Sequence, residues 1–156
     1  MNKVISTSFA QLYPLIADAV EKGNSFTFTA FGSSMMPYIR NGKDQVTLSR
    51  ITDTPKVGDV VFYRRDDKAF VLHRIIKKEK DFFILCGDNQ YTHEKIKSTQ
   101  IIAKLKEIHR NGKRIDPNGF STKLFVFFLP VRRLYLHGLH FIKRIAKRTL
   151  KLFSST

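Results

Sequence analysis

Two serines, a histidine and an aspartate stand in separated segments of this chain, each in a setting suited to hydrolytic chemistry. Ser33 and Ser34 follow Phe31-Gly32 and precede Met35-Met36-Pro37. Glycine permits a sharp turn at that point, so a serine hydroxyl can be presented to a cleft with backbone N–H groups nearby to bind an oxyanion. His73 lies within Val71-Leu72-His73-Arg74-Ile75-Ile76. In an extended strand Val71, His73 and Ile75 share one face, and Leu72, Arg74 and Ile76 share the other. An imidazole of ordinary pKa is largely neutral at pH 7 and can take a proton from a serine hydroxyl. A reaction run by such a base loses rate as the pH falls through about 6.5. Asp88 sits in Cys86-Gly87-Asp88-Asn89, just past the apolar run Phe82-Phe83-Ile84-Leu85. An acid there can orient an imidazole and stabilise its charged form. Taken singly, each segment also reads as an ordinary feature: a polar loop, a structural histidine, a Gly-Asp-Asn turn.

The ordered set is more specific than its parts. Ser34, His73 and Asp88 follow one another at separations of 39 and 15 residues, which suits neighbouring strands that converge. Gly32-x-Ser34-Met35-x-Pro37, then Gly58-Asp59-Val60-Val61, then His73-Arg74-Ile75-Ile76 and Gly87-Asp88-Asn89, resembles the signal peptidase I and LexA-type serine peptidase superfamily over roughly residues 25–110. In that superfamily the base is lysine in bacterial-type signal peptidases and LexA-type proteins. It is histidine in the archaeal and endoplasmic-reticulum type, which this chain matches. The resemblance implies a coiled, mostly-β catalytic core, with Ser34 as nucleophile, His73 as base and Asp88 as its acidic partner. It also places Ser33, Gly32 and Met35, with the Ser34 backbone, at the oxyanion and substrate side. Gly32 stands where bacterial enzymes carry an oxyanion serine, so a side-chain donor is not expected there. Members of the histidine branch tend to carry a second acid a few residues after Gly-Asp-Asn. The nearest here is Glu94, to which no role is assigned. The implied activity is a cofactor-free serine endopeptidase acting on an extended peptide or precursor protein, with leader-peptide processing as one use. The alternative is an inactive, membrane-associated peptide-binding module on the same fold.

The elements that must position these residues are legible from periodicity. Phe9–Lys22 reads as a helix capped by Ser8, with Phe9, Leu12, Ile16, Ala19 and Val20 on one face. Pro14 fits such a helix only in its first turn. Strands are expected at 25–31, 45–49, 59–64, 69–77, 81–86 and 100–110, from alternation and from β-branched and aromatic content. Arg65-Asp66-Asp67-Lys68 reads as a hairpin loop and Asn111-Gly112 as a hairpin turn. The expected fold is mostly β with an N-terminal helix and a basic amphipathic C-terminal helix. It divides into a helix at 1–24, a catalytic core at 25–118 and a basic segment at 119–156, the last boundary falling in Asp116-Pro117-Asn118-Gly119.

Charge and composition narrow the function further. The net charge is +15, and residues 121–156 hold eight bases and no acid. From Val131 to Phe153, Val131, Tyr135, Leu139, Ile142, Ala146, Leu150 and Phe153 recur at helical spacing between the bases, a pattern suited to an anionic membrane surface. The run Leu124–Leu129 would add a shallow apolar insertion. A nucleic-acid partner is disfavoured, because only about 24 residues precede the first strand, too few for a helix-turn-helix unit. The single cysteine, Cys86, excludes a disulfide framework and a thiolate zinc site. His93 and His109 stand apart from other histidines, and His137 and His140 have i, i+3 spacing but no carboxylate or thiolate nearby in sequence, so no metal is expected. The N-terminus lacks the apolar core of a signal peptide, and no apolar run is long enough to span a bilayer. The expected location is the cytoplasm or the cytoplasmic face of the membrane.

Overall fold

The computed structural model describes the backbone of residues 9–153 and the side chains of residues 11–135. The Ser8 cap and the side chains of Leu139, Ile142, Ala146, Leu150 and Phe153 lie outside the described residues.

Val60-Val61-Phe62-Tyr63 is apolar on both faces of an extended chain, and it forms the middle of the sheet as β3 (Val60–Arg64). The other strands are β1 (Phe26–Thr29), β2 (Gln45–Ser49), β4 (Phe70–Lys78), β5 (Phe82–Cys86), β6 (Glu94–Lys97), β7 (Ile101–Arg110) and β8 (Lys113–Ile115). All pairings are antiparallel, in the order β1-β2-β7-β3-β4-β5-β6, with β8 on β7. Alternation along β3 divides the core. Val60 and Phe62 join a first cluster with Phe28, Val46, Leu48, Leu72 and Leu105. Val61 and Tyr63 join a second with Ile75, Phe83, Leu85 and Ile96. The sheet can bury both faces of β3 because each face has its own cover. Two turns match their sequences: Arg65 and Ala69 close the β3–β4 hairpin by a backbone bond of 2.8 Å. Asn111 and Gly112 both take positive φ, 50° and 74°, as a two-residue hairpin requires. β6 and β8 were not expected; each is short, and β6 has one apolar residue, Ile96.

Helix α1 (Phe9–Glu21) lays Ile16 and Val20 into the first cluster, with Leu12 and Tyr13 against its rim. Pro14 is its sixth residue, one turn further in than expected. The missing N–H there is tolerated because burial of the i, i+4 pair Ile16 and Val20 holds the turn on the sheet. Helix α2 (Phe120–Phe153) starts well before the expected Val131 and runs through Pro130. Its first turns are tied down by Thr122, whose hydroxyl donates to the Asp116 carbonyl at 3.0 Å and meets Tyr38 Oη at 3.3 Å. Phe125 stacks on Tyr38 at 5.3 Å and Leu129 is buried. Phe120, Leu124, Phe127, Phe128, Val131, Leu134 and Tyr135 of this helix are exposed. Among the described residues no helix is long and apolar enough to cross a membrane.

Candidate active site

His73 is on β4, opposite Val61 of β3. Its neighbours Val71 and Ile75 on the same strand face pack in the second cluster, so the ring points toward that cluster and is only 1% exposed. Tyr63, two residues along β3 from Val61, and Glu94, at the start of β6 opposite Leu85, bring polar groups to the same face. His73 Nδ1 lies 3.2 Å from Tyr63 Oη and 3.2 Å from Glu94 Oε1. Tyr63 Oη donates to Glu94 Oε2 at 2.7 Å. Arg65 closes the array with Nε on Oε2 at 2.5 Å and Nη2 on Oε1. With the carboxylate accepting from every side, Nδ1 carries a proton and Nε2 is the lone-pair nitrogen.

Burial and charge oppose each other here. Burial lowers the His73 pKa to about 4, and the Glu94 carboxylate recovers only part of that loss. The expected titration near 6.5 is therefore displaced, because the strand face that was expected to border a cleft is enclosed. Burial also acts to raise the Glu94 carboxyl, but hydrogen bonds from Arg65 and Tyr63 outweigh it and hold the acid below its ordinary value. At neutral pH the pair is a neutral imidazole against an ionised carboxylate.

Asp88 does not take the place expected of it. Its two oxygens accept from Arg74 Nε at 2.9 Å and Nη2 at 2.7 Å, and both side chains are buried. The cause is strand alternation: Arg74 points to the opposite face from His73, and Asp88 stands two residues past Cys86, which ends β5 and pairs with Arg74. The guanidinium also donates to the Gly58 carbonyl at 2.7 Å and lies 4.5 Å from the Tyr38 ring centre. The pair thus ties Gly87-Asp88-Asn89 and the Gly58 turn to β4. The carboxylate at His73 Nδ1 is Glu94 instead.

Ser34 is brought to this region through its backbone. Its carbonyl accepts the Asn89 N–H at 2.7 Å. A Cβ on Gly87 would lie 2.6 Å from that same oxygen, so only glycine fits the contact. Continuing the Arg74–Cys86 register by one step sets Gly87 across from His73. The Ser34 turn therefore rests on Gly87, the residue that follows the end of β5. No Ser34 Oγ–His73 hydrogen bond is formed among the described residues. Gly32 takes φ +110° and donates its N–H to Asn41 Oδ1 at 3.0 Å. Ser33 is exposed, and its carbonyl accepts the Met36 N–H. Met35, expected at the substrate side, is instead a core residue whose side chain anchors the turn in the first cluster.

Sequence reading missed Tyr63 and Arg65 as neighbours of His73 and left Glu94 unassigned. The available signal was period-2 pairing: Tyr63 and Val61 share a face, and so do Glu94 and Ile96. Among the described residues no group of three His, Cys, Asp or Glu side chains is arranged to hold a metal. Among curated proteins none matches the chain. The sequence model of one family, Peptidase S24-like, matches residues 3–106, two thirds of the chain. That span holds Ser34, Tyr63, Arg65, His73, Asp88 and Glu94. The eight-stranded antiparallel sheet with a helix at either end is the LexA-like fold, and the chain belongs to the Peptidase S24-like family.

Proposed function

We propose that this chain is a serine endopeptidase in which Ser34 is the nucleophile, His73 the general base and Glu94 the acid that orients the base. The observation that carries the reading is the pairing of His73 Nδ1 with an ionised Glu94 carboxylate, itself fixed by Tyr63 and Arg65. A structural histidine has no need of a half-buried, clamped carboxylate on one nitrogen. A base does, because the imidazolium formed in the reaction must be stabilised as it appears.

In this reading Ser34 Oγ attacks the carbonyl carbon of an extended peptide while His73 Nε2 takes the hydroxyl proton. The oxyanion is met by the Ser34 backbone N–H, and Gly32 adds no side-chain donor. His73 returns its proton to the leaving amine, leaving an ester on Ser34. Water, deprotonated by the same nitrogen, then hydrolyses that ester and regenerates the hydroxyl. Asp88 is a structural acid here, holding the loop against which Ser34 rests. Processing of leader peptides from small precursors is the proposed use. The second reading, a non-hydrolytic peptide-binding module, is favoured by the unformed Ser34–His73 hydrogen bond. Catalytic hydrogen bonds commonly tighten only when substrate is bound, so that gap does not decide against hydrolysis.

The deciding experiment is labelling with a serine-directed acylating probe. The parent chain is expected to be labelled at Ser34, Ser34→Ala not at all, and His73→Ala at a rate lower by 10²-fold or more, on the order of what a general base supplies. A parent chain that stays unlabelled while correctly folded would leave the binding module as the reading.

A further inference from the structure

Helix α2 faces the wrong way for a helix that only covers a core. Seven large apolar residues, Phe120, Leu124, Phe127, Phe128, Val131, Leu134 and Tyr135, point to solvent, with Phe120 at 81% and Phe127 and Leu134 at 74% exposure. At 100° per residue they fall within an arc of about 120°. The opposite arc, Thr122, Phe125, Leu129 and Arg132, holds the helix on the body. A monomeric soluble surface rarely exposes a contiguous stripe of this kind. We propose that this stripe is a docking face for an anionic lipid bilayer, with α2 lying in the headgroup region and the sheet on its water side.

Charge selects lipid over other occupants. The chain carries +15, and residues 121–156 contribute eight bases without an acid, so a second copy of this segment is repelled while an anionic headgroup layer is attracted. Spanning the bilayer is not required: a helix of mixed apolar and basic residues binds in the interface plane by burying one face about 5–10 Å. The inner face of the same helix adds a consequence. Arg132 donates Nη1 to the Asp88 carbonyl at 2.5 Å and Nη2 to Asn89 Oδ1 at 3.0 Å. Asn89 in turn donates its N–H to Ser34. Docking would hold the Ser34 turn on the water side of the helix, within about one helix diameter, roughly 10 Å, of the membrane surface. The docking itself does not depend on the peptidase reading.

The test uses the full chain and co-sedimentation with vesicles of phosphatidylcholine, with and without phosphatidylglycerol. Binding is expected to the anionic vesicles, weaker to phosphatidylcholine alone, and to decline as salt is raised. Phe127→Glu/Phe128→Glu alters two exposed rings and should lose about tenfold or more in vesicle affinity, with the parent's circular dichroism and thermal midpoint retained. Serine-probe labelling of the same variant in solution separates a docking failure from a catalytic one. Absence of binding to anionic vesicles would overturn the proposal. So would unchanged vesicle affinity in the double variant, or a parent dimer in sedimentation that the variant dissociates without any vesicle binding.

Discussion

In the proposed reading His73 is a base whose surroundings disfavour its charged form. Enclosure by Val61, Tyr63 and Ile75 drives its pKa to about 4, and Glu94 returns part of the difference. The result is a residue that stays neutral through the whole mildly acidic range. If it is the base, kcat/KM should be level from pH 8 to about 5 and fall only below that, because the free enzyme's base is protonated only near 4. A descending limb centred near 6.5 would mean that the reactive imidazole is not the enclosed one. The two acids near the site are separable in the same way. Glu94→Gln removes the charge that stabilises the imidazolium and should lower kcat/KM by on the order of 10²- to 10⁴-fold. Its effect on the unfolding midpoint should be smaller than that of Asp88→Asn, since Arg65, one of its two clamps, reaches solvent and can rehydrate. Asp88→Asn should do the reverse to stability: Arg74, 1% exposed, is left as an uncompensated buried cation, costing about 3–5 kcal/mol. Denaturant unfolding and steady-state kinetics on the two variants read this exchange of roles directly.

The site exists only where three elements meet, and the closest meeting is between the Ser34 turn and the residue after β5. Gly87→Ala places a methyl 2.6 Å from the Ser34 carbonyl, a contact with backbone that no rotamer relieves. The turn must move, so serine-probe labelling should fall by tenfold or more, with a stability loss of about 1–3 kcal/mol typical of overpacking. Circular dichroism should stay unchanged, because no strand residue is altered. A fully labelled Gly87→Ala would mean that the Ser34 turn does not depend on this contact. The same junctions explain what could be read from the sequence. β1, β2, β3, β4, β5 and β7 were visible because β-branched and aromatic residues alternate or run unbroken across them. β6 was not: Glu94-Lys95-Ile96-Lys97 holds one apolar residue, and its strand character comes from pairing with β5 rather than from its own preference. Missing β6 left Glu94 without a face, and Asp88, adjacent in sequence to a strand end, stood in for it. The alternation of His73 and Arg74 was read correctly, yet which acid lay on which side depends on register between β4 and β5. Register is fixed by packing of the sheet, not by local spacing. Helix α2 was read from its basic half alone, because Pro130 looks like a boundary until Thr122, Phe125 and Leu129 are seen to anchor the turns before it.

Across the whole molecule, the enclosed imidazole links the site to stability. The unfolded chain protonates His73 near 6.5, while the folded chain resists until about 4. Its contribution is therefore complete above 6.5, declines as the pH falls from 6.5, and is gone by about 4. That difference amounts to about 3 kcal/mol in all, with about 2 of it lost by pH 5. Glu94 and Asp44 act lower on the scale. Burial acts to raise both, but the hydrogen bonds of Arg65 and Tyr63 on Glu94, and of Arg110 and Arg40 on Asp44, hold each below its ordinary value. Their stabilisation is lost only as the pH falls through the carboxylate range. Acid unfolding should thus have two stages, a histidine stage between 6.5 and 5 and a carboxylate stage beneath it. The urea midpoint of the parent should drop measurably across the first stage, whereas His73→Gln, which has no proton to refuse, should hold level there and decline only in the second. Parallel curves for the two proteins between pH 6.5 and 5 would show that the ring titrates alike folded and unfolded. The clamp of Tyr63, Glu94 and Arg65 would then be holding an imidazole that water already reaches.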